Sequence, residues 1–198
     1  MALEPDLTIR ETAALSGASK GTIEKAVETK VLAVTSRDGV SRRTGRRFLP
    51  VRAVAYFAAL RRAQLTGLPV EHKKAIWSKM SERSGDDLEA IEFLPGVTLD
   101  LARLASDPLR RAVEYMKARD AHVVSDPTIL GGTPVLRGTR ITVYSVHGRL
   151  ANGETLDDLV EDYPEIPRSA FAAADIYATT HPLRGRPSGR PWHAAPNA

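Results

Sequence analysis

Cysteine is absent from this 198-residue chain. Disulfides, thiolate zinc sites and cysteine nucleophiles are excluded with it. Long apolar stretches are missing too: the longest run, Ala53 to Leu60, is far too short to span a bilayer. The opening Met1-Ala2-Leu3-Glu4-Pro5-Asp6 is acidic and lacks the basic-then-apolar layout of a secretory leader, so the expectation is a cytoplasmic protein with no membrane partner. Aromatic residues are scarce at 6 %, yet 42 % hydrophobic and 26 % charged residues describe an ordinary foldable chain. At this length it buries a proper core in one or two domains, and two is the reading.

Charge is unevenly placed. From Arg37 to Arg62 there are eight arginines and one acid, Asp38, so this segment carries +7 and the rest of the chain −3 of the total +4. From Asn152 to Tyr177, seven acids face only Arg168. The chain has a basic front and an acidic rear, which points to a polyanionic partner for the front.

The front reads as a winged helix. Thr8-Ile9-Arg10-Glu11 is a capping box that starts a helix with an apolar stripe of Ile9, Ala13, Ala14 and Leu15. Ser16-Gly17-Ala18 supplies a tight turn, and Ser19 caps a second helix running to about Lys30, with Ile23, Ala26 and Val27 inward and Lys20, Thr22, Glu24 and Lys25 outward. Two helices joined by a glycine turn, the second polar-faced, form the helix-turn-helix arrangement. Val31-Leu32-Ala33-Val34 and Arg46-Arg47-Phe48-Leu49 read as paired strands around Asp38-Gly39. That hairpin would be the wing, carrying Arg37, Arg42, Arg43, Arg46 and Arg47 to phosphates, with Ser19, Lys20, Thr22 and Lys25 placed for base contacts. Val51, Val54, Ala55, Phe57 and Ala58 then predict an amphipathic helix that closes a unit over residues 1–66. The spacing Ala13-Ala14, Ser16-Gly17, Ser19 resembles the start of MerR-like winged helices. The alternative for the arginines is a solvated face.

Residues 67–120 read as a connecting α/β segment without visible chemistry. A helix is expected from His72 to Arg83, strand-like pieces at Leu88 to Leu94 and Gly96 to Leu104, and a helix opening at Asp107-Pro108 with Leu109, Ala112, Val113 and Met116 on its apolar face. Trp77 is expected in the core and His72 on the surface.

The rear carries the most informative stretch, Gly131-Gly132-Thr133-Pro134-Val135-Leu136-Arg137-Gly138-Thr139-Arg140-Ile141-Thr142-Val143. Two glycines and a proline make a tight turn, Gly138 resets the chain, and a short strand or helix entrance follows. Val143 to Leu150 predicts a helix stopped by Asn152-Gly153. Thr155-Leu156-Asp157-Asp158 is a capping box for a helix ended by Tyr163-Pro164, and Arg168 to Ala178 supplies a third. The expected fold class is mainly α with a small β-hairpin, α+β overall: a winged helix-turn-helix followed by a small helical bundle.

Gly132, Pro134, Gly138, Thr139 and Arg140, followed by Tyr163 and Pro164, occur in the order of the domain of unknown function 433, which residues 121–180 resemble. That family and the MerR-like front together resemble VapB-like antitoxins. The resemblance implies that the rear bundle is helix-turn-helix-like and serves as a dimerisation or partner-binding module, with a PIN-like ribonuclease toxin as partner and no enzymatic activity or cofactor.

Two other chemistries are weighed at the rear. Glu154, Asp157, Asp158, Glu161, Asp162 and Glu165 could hold magnesium for a nuclease, but they fall at the spacing of an ordinary charged helix face, and no histidine or lysine sits nearby in sequence. The glycines lack the Gly-Lys-Ser/Thr ending of a phosphate loop. Residues 181–198 hold four prolines, two glycines, three arginines and no acid, and read as a flexible basic tail. Against a nuclease toxin, Arg184, Arg186 and Arg190 would reach its carboxylates, with Trp192 as an apolar anchor; the alternative is a plain disordered terminus. The functional expectation is an antitoxin that binds operator DNA as a homodimer and silences its toxin by contact. The runner-up is a winged-helix transcriptional regulator without a toxin partner.

Overall fold

A computed structural model describes residues 6–33, 35–37, 46–82 and 88–183. Among them are eight α-helices and three small antiparallel sheets, the mainly helical α+β class expected from the sequence. No helix is long and apolar enough to cross a membrane among the described residues.

The chain opens with β1 (Asp6–Thr8), α1 (Ile9–Ser16) and α2 (Lys20–Glu28). The Thr8 capping box forms as read: the Thr8 hydroxyl accepts from the Glu11 amide at 3.2 Å, and the Glu11 carboxylate accepts from the Thr8 amide at 2.7 Å. Gly17 ends α1 in the left-handed region at φ 70°, its amide donating to the Ala13 carbonyl at 2.9 Å. A Cβ there would also lie 3.0 Å from the Arg61 guanidinium, the movable end of a long side chain, so it is the left-handed backbone that calls for glycine.

β2 (Thr35–Arg37) and β3 (Arg46–Pro50) form the expected hairpin, and β1 joins its other edge in the order β1-β3-β2. Leu7 faces Leu49 across the β1–β3 pair, both fully buried. The first strand of the hairpin starts later than the sequence suggested. Val31 and Leu32 are core pegs following α2, at 4 % and 2 % exposure, and pairing begins at Thr35. Asp38-Gly39, Arg42 and Arg43 lie outside the described residues.

α3 (Arg52–Arg62) corrects a second expectation. It is not amphipathic: every residue from Ala53 to Leu60 is buried. The cause is its central position, with α1 packed on one side, α5 (Leu101–His122) along another, and Ile76 and Met80 of α4 (Val70–Ser81) in the same core cluster. Its alanines let the neighbouring backbones approach closely. Trp77 is half-buried, edge-on to Tyr56 at 5.5 Å.

The hairpin β4 (Ile91–Leu94) and β5 (Val97–Leu99) is shorter than expected, because Asp100 caps α5 through its carboxylate, 3.0 Å from the Arg103 amide. Asp107-Pro108 does not open the helix; Pro108 lies inside it. Proline has no amide to give the carbonyl four residues back. That carbonyl belongs to Leu104, and it accepts instead from Arg62 of α3 at 2.9 Å. A continuous stripe of Leu101, Ala105, Leu109, Ala112, Tyr115 and Met116 holds the helix together through the defect.

Behind α5 come β6 (Val123–Val124), a 3₁₀ turn (Leu130–Gly132), β7 (Val135–Leu136), α6 (Val143–Ala151), α7 (Leu156–Asp162) and α8 (Arg168–Thr180). Leu136, Val143, Val146, Leu159 and Phe171 form the rear core. α5 packs against α3 and α8, and a joint cluster of Leu7, Leu15, Val54, Ala112, Tyr115, Met116 and Ala173 sits where front and rear meet.

Glu11 lies at that junction, 1 % exposed. Besides its cap, it accepts from the Tyr115 hydroxyl at 2.6 Å and from Arg119 at 2.9 Å. Burial by itself would push the Glu11 carboxyl up. The Tyr115 hydroxyl, the Arg119 charge and the Thr8 amide outweigh it and hold the group below its ordinary 4.5. A carboxyl lowered on folding contributes stability that is complete above its unfolded value and is lost as pH falls through the folded one. Urea unfolding should therefore show stability falling as pH drops below 4.5, with that acid limb flattened in Glu11→Gln. Glu11→Ala should cost about 2–4 kcal/mol at neutral pH, because the Tyr115 hydroxyl and the Thr8 amide lose their acceptor and Arg119 loses one of its carboxylates. A loss under about 1 kcal/mol would mean that the pair is solvated.

Candidate nucleic-acid interface and the cleft behind it

The residues read as base contacts run from the cap of α2, Ser19, through Lys20 and Thr22 in its first turn to Lys25 in its last, and they are not equally free. The Ser19 side chain accepts from the Thr22 amide at 3.1 Å, and the two hydroxyls are 2.8 Å apart, so both are engaged in capping. Lys20 pairs with Glu24 at 3.0 Å on an exposed face. Lys25 is exposed and carries no ion pair among the described residues. The cap and turn present α2; its lysines carry the charge.

In the hairpin, Arg37 stands opposite Arg46 and Ser36 opposite Arg47. Arg47 is exposed. Together with Lys20 and with Arg10 of α1, it lines a cleft of about 850 Å³ between front and rear. The far wall comes from Gly132, Pro134, Tyr144, Tyr177 and His181. The Tyr177 and His181 rings stack at 4.2 Å, and the Tyr144 hydroxyl donates to the His181 carbonyl at 2.8 Å. Residues assigned from sequence to two separate tasks, Lys20 and Arg47 for DNA and Gly132 and Pro134 as a domain motif, thus share one cleft. Glu24, the partner of Lys20, lines the cleft as well, so Arg10 and Arg47 are the basic groups left to face the aromatic rings, an arrangement that suits a nucleic-acid strand. Sequence reading missed Arg10, Tyr144, Tyr177 and His181. Arg10 had a signal, an outward position one residue into a capped helix; the other three had none, because only the docking of α6 and α8 brings them here.

The motif residues mostly build the rear unit. Leu130, Gly131 and Gly132 have φ of 46°, 63° and 86°, and the Ser125 hydroxyl donates to the Gly132 carbonyl at 2.5 Å. The Pro134 carbonyl accepts from the Val143 amide at 3.0 Å. The Thr139 hydroxyl donates to the Leu136 carbonyl at 2.8 Å and accepts from the Ile141 amide at 3.0 Å, closing the turn around Gly138. The following segment is a helix entrance, with Thr142 capping α6. Tyr163 packs tilted on Phe171 at 6.4 Å with the Arg149 guanidinium over its ring at 5.9 Å, and Pro164 is exposed beside it. Arg140 differs from these: it is exposed and has no hydrogen bond or ion pair among the described residues.

Four of the six rear acids are tied up locally, Glu161 and Glu165 being the exceptions. Glu154 and Asp162 both bind Arg149, the former at 2.6 Å from Nε, and Asp157 binds Arg168. Asp158 accepts from the Thr155 amide at 2.7 Å, and the Thr155 amide and hydroxyl hold its carboxyl below the usual range. Among the described residues no group of three or more acids or histidines is placed to hold a metal ion. Arg184, Arg186, Arg190 and Trp192 lie outside the described residues, and for Arg37 and Arg46 only the backbone is described.

Residues 123–178 match the family described as "Protein of unknown function (DUF433)". A curated relative, "Uncharacterized protein y4eO" of Sinorhizobium fredii (strain NBRC 101917 / NGR234), is 41 % identical over 95 residues. That alignment covers 48 % of this chain and 41 % of the relative, so the chain spans about two fifths of the relative's length. No solved structure matches the chain.

The motif turn can be tested alone. A Cβ on Gly132 would meet only ordinary contacts, the nearest being Pro127 at 3.9 Å, so the cost of Gly132→Ala is conformational. It should destabilise by about 1–2 kcal/mol and lower Tm by roughly 2–4 °C per kcal/mol. An unchanged Tm would show that the turn tolerates a different conformation.

Proposed function

We propose that this chain is a DNA-binding antitoxin that grips the operator of its own operon with its front unit and a PIN-like ribonuclease with its rear unit and tail. The observation that carries the DNA half is the pair α1–α2, joined at Gly17 and backed by a β1-β3-β2 sheet whose hairpin leads into the arginine-rich segment. The toxin half is supported by the family match over residues 123–178 and by Arg140, the motif's unengaged cation. A homodimer would place two α2 helices on successive half-sites of a pseudo-palindrome. Inhibition would be stoichiometric and need no cofactor.

Binding to a fragment from upstream of the gene should weaken with salt at a log-log slope of about −4 to −5, for five phosphate contacts. Changing Arg42, Arg43, Arg46 and Arg47 together to alanine should reduce that slope by about 3–4; an unaltered slope would sink the wing proposal. Co-expression with the adjacent reading frame, with a tag on one partner only, should recover a complex whose ribonuclease is silent. Recovery of this chain alone, still bound to its upstream DNA, would favour the second reading, a regulator without a toxin. One observation already leans that way: an open pocket directly beside α2.

A further inference from the structure

That cavity, about 570 Å³, lies between α2, α3 and the segment leading into α4. Its volume is that of a small-molecule site. Tyr56, Phe57 and Leu60 make an apolar floor, and the first two are held edge to face at 5.0 Å. Tyr56 is 1 % exposed, and its hydroxyl donates to the Lys73 carbonyl at 3.3 Å. Burial pushes that phenol far above its ordinary range, so it offers a neutral ring. The rim is cationic: Lys25 from α2, Arg61 from α3 and Lys73 from α4 all line the cavity, and no aspartate or glutamate does. None of the three has a carboxylate partner among the described residues. Three cations without carboxylate partners around an apolar floor lack one component, a ligand negative at one end and apolar at the other.

We infer that this cavity binds a small amphipathic monoanion, an aromatic or short aliphatic carboxylate, with its apolar part on Tyr56, Phe57 and Leu60 and its charge among Lys25, Arg61 and Lys73. Phosphodiester backbone would satisfy the cations but leave the floor empty. One wall of the cavity is α2 itself, through Thr22, Lys25 and Ala26. Occupation withdraws Lys25 from other anions and bears on the helix, so the ligand lowers operator affinity; this last consequence rests on the DNA-binding reading above.

The test titrates the full chain by calorimetry with naphthalene-2-carboxylate and with its uncharged twin, naphthalene-2-methanol. The carboxylate should bind on the order of ten-fold tighter, the size of one charge-assisted hydrogen bond. Lys73→Gln, and independently Arg61→Gln, should erase that preference while leaving the alcohol unchanged, and Lys73→Arg should restore it. Equal affinities, no binding of either compound, or a preference that survives both glutamine variants overturns the site. Operator binding is measured separately, without ligand. If the carboxylate binds as described and DNA does not, the ligand site stands and the DNA-binding function falls. If DNA binds and the carboxylate does not, the site falls and the cations belong to the nucleic acid.

Discussion

One buried carboxylate ties the two halves of this protein together. Glu11 begins as a local device, the acid of a capping box on α1. Its other oxygen is committed to Tyr115 and Arg119, 104 and 108 residues later. A buried acid must be fully paired to be tolerated. The front unit therefore reaches its stable arrangement only with α5 docked against it, and α5 in turn carries α8. Arg119 also pairs with its neighbour Asp120 at 2.8 Å, within the same helix.

α5 is the second requirement. It packs first on α3 and then on α8, which needs one continuous helix where a proline would ordinarily end one. Arg62 resolves the conflict by donating to the Leu104 carbonyl that Pro108 cannot serve. The same long helix makes residues 67–120 part of the front core rather than a tether: Ile76, Met80, Leu101, Ala105 and Leu109 belong to one cluster with Ile23 and Leu49.

With front and rear held this way, the two faces of α2 have different surroundings. On one side Lys20 looks into the cleft shared with Gly132, Pro134 and the stacked Tyr177–His181 pair. On the other, Lys25 stands at the mouth of the cavity over Tyr56 and Phe57. A partner on the rear motif, or a ligand in the cavity, therefore acts within one side chain of the helix proposed to read DNA. Coupling between such sites needs only that α2 have two arrangements that both bias.

What the sequence determined by itself was local. The Thr8 and Thr155 capping boxes, the Gly17 turn, the Ser19 cap and the order of motif residues at the rear were legible, because each depends on neighbours within four residues or on a backbone conformation open to few residue types. What only the tertiary structure decided depends on distant partners. Glu11 could be read as a cap but not as the centre of a buried network. Ala53 to Leu60 looked like a helix with one apolar face until neighbours enclosed it, and Asp107-Pro108 looked like a helix start until Arg62 supplied the missing donor. The candidate sites divided in the same way: the lysines of α2 and the arginines of the hairpin were visible as charge, whereas Arg10, Tyr144, Tyr177, His181, Arg61 and Lys73 gained their places only when helices far apart in sequence packed together. Burial and counter-charge are properties of the packed whole, and no local window of residues contains them.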